Sequence, residues 1–126
     1  MTREKRELIR CISYYNKNMR HLSDSASFFK NLIRLDRKSA KYISAIHDTV
    51  KFFIILGDTE SVDAVFFVYG EFTEGKARPS QISSAVKKFA TEKFRDERTV
   101  YRKISDFFFV LDRIVKQYSN EEKRYA

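Results

Sequence analysis

The 126-residue sequence holds one cysteine, one proline, three glycines and no tryptophan. A single thiol can make neither an internal disulfide nor half of a zinc knuckle, and His21 and His47 are 26 positions apart, which fits no metal-ligand spacing. Disulfide scaffolds and zinc fingers are excluded, and nothing calls for a metal or a cofactor. Long apolar runs are missing as well: Phe52 to Leu56 and Ala64 to Tyr69, the longest, fall far short of the roughly 18 residues of a membrane-spanning helix. The charged start, residues 1–10, leads into Cys11-Ile12-Ser13-Tyr14-Tyr15 with no apolar signal core and no small-residue cleavage site, so the expectation is a cytoplasmic protein. Glycine-rich phosphate loops are absent. Cys11 has no histidine near it in sequence to act as a base, and His47 and Asp48 are neighbours that point in different directions on a helix. No catalytic pair emerges, and the expectation is a protein that is not an enzyme.

What is present is a helical pattern. With 43% hydrophobic and 33% charged residues, the chain has enough apolar surface for one domain that folds by itself. Scarce glycine and proline point to helices joined by short connections. Leu8, Ile12, Tyr15 and Met19 lie four, three and four apart, one stripe of an amphipathic helix over residues 4–19. Ser23 or Asp24 can cap a second helix carrying Phe28, Phe29, Leu32 and Ile33. A third begins near Ser39, carries Tyr42, Ile43, Ile46, Val50, Phe53 and Ile54, and ends at Gly57. Residues 50–72 are rich in β-branched and aromatic types around a turn-like GDTES, so a β-hairpin is the alternative there. Helix is favoured, because Val62, Val65, Phe66 and Tyr69 fall at three, one and three, with Gly70 or Gly75 as the stop. Pro79 and Ser80 open the next helix, with Ile82, Val86, Phe89, Ala90 and Phe94 on its apolar side. Asp96 caps the last, which carries Val100, Ile104, Phe107, Leu111 and Ile114. The fold class is all-α, a single domain of five to six helices with a C-terminal helix-turn-helix. Residues 1–40 form a helical layer of no assigned role, 41–118 the portion containing the helix-turn-helix, and 119–126 a polar, frayed tail.

The formal net charge of +8 is unevenly spread. Residues 1–22 carry +4, 23–58 carry +2, 59–75 carry −4, 76–103 carry +6 and 104–126 are neutral. The basic excess is concentrated in Lys76, Arg78, Lys87, Lys88, Lys93, Arg95, Arg98, Arg102 and Lys103. Such an excess over two short helices suits a polyanion, since each phosphate neutralised releases counterions and adds affinity. The plain alternative is a solvated helix pair.

Residues 81–108, QISSAVKKFATEKFRDERTVYRKISDFF, have the pattern of a helix-turn-helix. Val86, Phe89 and Ala90 supply the interior of the first helix, residues 94–96 the break, and Val100 and Ile104 the interior of the second. Small Ala90 suits a close crossing, and branched Val100, ten positions later, anchors the second helix. At 100° per residue the direction opposite Val100, Ile104, Phe107 and Leu111 is taken by Arg98, Arg102 and Ser105. These three face a groove in this reading, and arginine can pair with guanine through two hydrogen bonds. Glu97 and Tyr101 flank them as second choices for base contact. Ser80, Lys87, Lys88 and Lys103 are the candidates for phosphate contact. Phe109 also points outward. With Phe108 and Val110 it makes the last helix apolar nearly all round, so the N-terminal helices or a second subunit must cover it.

DERTVYR, residues 96–102, resembles the start of the recognition helix in sigma-factor region-four-like domains, notably the ArpU and RinA type regulators of late transcription in phages of Gram-positive bacteria. AVFFVYGEFTEGK, residues 64–76, is similar to the helix and glycine-ended turn that precede the motif in such domains, and the likeness covers about residues 43–115. The chain departs from the pattern at Phe94, where the turn usually has a small residue, and in the longer connection GKARPSQ. The resemblance implies a sequence-specific, double-stranded-DNA-binding transcriptional regulator of phage or prophage origin, with RNA polymerase as a further partner; a second copy of the chain enters only as the alternative cover for the apolar last helix, and the short apolar runs leave no role for a membrane. Two other readings stand beside it. Twelve Phe and seven Tyr suit a small helical adaptor or phage-borne inhibitor that binds a protein through an aromatic surface. The same basic face could also track the A-form backbone of RNA.

Overall fold

Short polar side chains start most of the helices in the structure, a computed structural model that describes residues 2–125. Thr2 accepts the amide of Lys5 at 3.1 Å and opens α1 (Arg3–Asn18). Asp24 does the same for α2 (Ser25–Leu32) through Ser27 at 2.7 Å, and Asp36 for α3 (Arg37–Ile55) through Ser39 at 2.8 Å. Asp58 opens α4 (Thr59–Tyr69) by accepting from Ser61. Each carboxylate satisfies an amide that the helix leaves free and lies at the positive end of its dipole. Pro79 is the first residue of α5 (Pro79–Glu92), where the Gln81 side chain reaches back to accept the Arg78 amide at 3.0 Å. Asp96 precedes α6 (Glu97–Tyr125) and accepts the amide of Arg98 at 2.9 Å.

The described residues contain six helices and no strand, so the aromatic stretch over residues 50–72 is helix, turn and helix rather than a hairpin. Gly57 makes that turn. It sits at φ 79°, and the bonds Gly57 N–H to Ile54 O and Asp58 N–H to Phe53 O close α3 in a Schellman motif. Two expectations need correction. The third helix starts at Arg37 rather than near Ser39, because Asp36 is the cap and Ser39 the residue whose amide it accepts. The polar stretch after residue 118 is not a frayed tail up to Tyr125: it continues α6, tied to α3 by the ion pair Lys41–Glu122 at 3.6 Å and the Lys41–Ser119 hydrogen bond. Ala126 lies outside the described residues.

α3 and α6 run antiparallel, with Lys41 beside Glu122, Asp48 bonded to Tyr118, and the Phe53 ring stacked on Phe107 at 5.7 Å. α4 packs on the same helix through Phe66 and Phe107, and α5 packs against both α4 and α6. α1 closes the other side, resting on α3 and α4. The core joins Ile9, Ile12 and Met19 of α1 and the turn after it with Ile43 and Ile46 of α3, Val65 and Val68 of α4, and Phe107 and Leu111 of α6, all essentially inaccessible. Each such side chain contributes roughly 1.5–3 kcal/mol relative to exposure. The loop of residues 70–78 threads under α1. Ser13 donates to Gly70 O at 2.8 Å, and at Gly75, φ 75°, a Cβ would meet Arg6 O at 2.1 Å, so only glycine fits. The apolar last helix is therefore covered by helices of its own chain, chiefly α3 and α4. Phe109 is the outward exception, 62% exposed.

Candidate nucleic-acid interface

α5, the connection of residues 93–96 and α6 form the basic face. Val86, Phe89, Ala90, Val100 and Ile104 are all buried, as the periodicity predicts, so α6 is anchored at its first and second turns against the rest of the molecule. Phe94 corrects the same reading: α5 ends at Glu92, so the residue expected on its apolar side lies in the turn and points to solvent. α5 ends in the same motif as α3: Phe94 N–H bonds Thr91 O at 3.4 Å and Arg95 N–H bonds Ala90 O at 2.8 Å. The residue at the left-handed position here is Phe94, at φ 55° and 94% exposed. For a side chain with a Cβ that conformation costs about 1–2 kcal/mol. Its benzyl group recovers nothing from the core.

The buried stripe leaves Arg98, Arg102 and Ser105 exposed on the opposite side of α6. The two arginines are one turn apart, about 6 Å along the axis. Among the described residues, no acidic side chain pairs with either of them. Glu97 is exposed, and Tyr101, 41% exposed, lies near Tyr69, a phenol whose pKa burial and that neighbour both raise. On α5, Ser80, Lys87 and Lys88 are exposed, the serine in the first turn and the lysines two turns on; no acidic partner holds either lysine among the described residues.

Lys103 is placed differently. Its ammonium lies 3.3 Å from Asp58 and 3.5 Å from Glu60, with the side chain only 19% exposed. Glu60 also accepts both of its bonds from Arg95 Nε, at 3.0 and 3.2 Å. Asp58 is held in turn by the Ser61 hydroxyl at 2.6 Å and amide at 3.2 Å. Burial works to raise its pKa, but the Ser61 bonds and the Lys103 charge outweigh it, and the carboxyl titrates below its ordinary range. Two of the nine cations in residues 76–103 are thus paired within the chain, Lys103 at a sheltered site and Arg95 at the surface, by carboxylates that the sequence presents only as a helix start. The cue for Asp58 was its position after Gly57. Helix periodicity gives the side of α6 that Lys103 occupies, not the distant helix that meets it.

Elsewhere the titratable groups serve packing. Burial pushes the Cys11 thiol up to about 11 and the Tyr15 phenol up to about 12. His47 lies at 4.1 Å from the Phe28 ring and 3.0 Å from the Tyr15 hydroxyl, while Asp48, its neighbour, bonds Tyr118 of α6. Among the described residues, no three His, Cys, Asp or Glu side chains cluster to hold a metal ion, and no helix is long and apolar enough to cross a membrane. The chain matches no family model, no curated protein and no solved structure.

Proposed function

We propose that α5, its turn and α6 bind double-stranded DNA as a helix-turn-helix, that α6 reads base edges, and that the protein regulates transcription. The observation that carries this reading is the pair Arg98 and Arg102: two exposed guanidinium groups, one turn apart and without acidic partners among the described residues, on a helix whose opposite side is locked into the core. Unpaired arginines held on a rigid helix suit bidentate contact with guanine. Ser105, Glu97 and Tyr101 complete the reading face. Lys87, Lys88 and Ser80 on α5 supply phosphate contacts that orient without specifying. The phage-regulator likeness adds the transcriptional role, with RNA polymerase as a further partner.

A second reading draws on a different surface. Phe52, Ile54, Ile55 and Leu56 are exposed together at the end of α3, Ile55 at 83%. Adjacent apolar side chains of that size suit a protein partner.

Selection of duplexes from random or genomic fragments, followed by titration of four alanine variants, tests the DNA reading. Arg98→Ala and Arg102→Ala each weaken binding to the selected site by about 1–3 kcal/mol and relax base preference. Lys87→Ala and Lys88→Ala weaken binding to selected and scrambled duplexes alike and flatten the salt dependence. Four parallel losses on both duplexes reduce the face to a general polyanion surface. No loss in any variant, or no duplex binding at low salt, shifts the function to the apolar end of α3.

A further inference from the structure

We propose that Asp58 and Glu60 form a counter-charge clamp that withholds Arg95 and Lys103 from the nucleic acid, so that a larger share of binding depends on base identity. The inference rests on the duplex-binding reading above. An unpaired surface cation attracts any phosphate backbone and so adds equally to affinity for every sequence. A chain with nine cations in 28 residues would hold random DNA tightly unless some of them were neutralised. Among the described residues, Arg95 and Lys103 are the two that are held in ion pairs. Arg95 stands one residue before the cap of α6 and Lys103 two turns into it, so both border the reading face, yet both turn to the start of α4.

The carboxylates do there what phosphate oxygens would do. They are anionic acceptors at 3.0 to 3.5 Å from the two cations, and the chain tethers them at high effective concentration. An incoming phosphate has to displace a partner that never diffuses away. Asp58 is itself fixed by its capping bonds to Ser61, and the Lys103 and Glu60 side chains are only 19% and 22% exposed, which shields that pair from salt; the Arg95 end of the clamp is more open, with 53% of its side chain exposed. The same links hold α6 from both ends of its opening turns. This is a positioning role as well as a neutralising one, and the two make separate predictions.

The test measures affinity for a random-sequence duplex and for a selected site across a salt series, in the full chain. The variant Asp58→Asn/Glu60→Gln keeps capping ability at residue 58 and size at residue 60. It is expected to bind the random duplex more tightly, with a log-log salt slope steeper by about 0.9 for each cation released, and to lose discrimination in favour of the selected site. Glu74→Gln/Glu92→Gln makes the same change in net charge at residues in no ion pair among the described residues, and is expected to leave the slope near its original value. Lys103→Gln alone is expected to leave the slope unchanged, and in the clamp-free background to lower it by about 0.9. A purely structural role would lower the melting temperature without steepening the slope. An unchanged slope in the clamp-free variant, or a slope that Lys103→Gln lowers in the otherwise unaltered chain, overturns the proposal. The second result decides the matter even if the double variant fails to fold. If the unaltered chain binds no duplex, the DNA reading falls and takes the clamp with it; if it binds and the variants behave alike, the clamp alone falls.

Discussion

Two helix ends in this protein use one motif with different residues, which isolates what a single side chain costs. Gly57 and Phe94 both occupy the left-handed position after a helix, at φ 79° and 55°. Glycine adopts it freely, whereas phenylalanine does so against about 1–2 kcal/mol of steric strain and gains no burial in return. Phe94→Gly relieves that strain but adds about 0.5–1 kcal/mol of chain entropy to the unfolded state. The expected result is a thermal midpoint that holds or rises by a few degrees, checked by calorimetry; a fall would mean that the exposed ring has a folded-state partner. His47 supplies a second residue-scale prediction. Burial, helped by Lys51 and opposed by Asp48, lowers its pKa below the ordinary 6.5. The unfolded chain then binds the proton first, so the histidine's contribution is complete above pH 6.5 and is lost as pH falls through the lowered folded value. Melting temperature should decline between pH 7 and 5, and His47→Gln should flatten that decline. The capping carboxyls of Asp24 and Asp36, titrating below their ordinary 3.8, act in a separate, more acidic window.

Among the elements, α2 is the least attached. None of its residues is fully buried, and α3 is the helix it packs against. Its main hold is the Phe28 ring over His47, while Phe29 and Ile33 stay exposed. Phe28→Ala should therefore free α2 alone: amides of residues 25–32 lose exchange protection, and global stability falls by no more than about 1 kcal/mol. Equal loss of protection in α3 and α6 would show that α2 belongs to the cooperative core. The existence of α2 was legible in its apolar spacing and its Asp24 cap. Its loose attachment was not, because burial depends on which other helix a face meets. The stripes of α1, α5 and α6 were legible for the complementary reason, since a face that repeats over several turns must be buried somewhere. The start of α3 was misplaced by two residues because Asp36 and Ser39 are both good caps, and only geometry shows which carboxylate or hydroxyl takes the free amide.

At the scale of the whole molecule, the opposite charges of neighbouring segments have a use that composition alone conceals. Residues 59–75 carry −4 and residues 76–103 carry +6, and where α4 begins Glu60 of the first segment, with Asp58 just ahead of it, meets Arg95 and Lys103 of the second. The exposure of Arg98, Arg102 and Ser105 could be assigned from periodicity, because anything opposite a buried stripe is at the surface. Lys103 could not, because it lies at the edge of that stripe, and what an edge residue touches depends on a helix some 45 positions away. The antiparallel match of α3 with α6 has one more consequence, for the order in which the protein can assemble. Phe53, Phe66 and the inner side of α3 find cover in a helix that the ribosome makes after the other five. At about 5–20 residues per second, the 29 residues of α6 take roughly 1.5–6 s to synthesise. Through that interval the nascent chain presents an aromatic groove with no lid, the state in which it is most open to a holdase or to a neighbouring nascent chain.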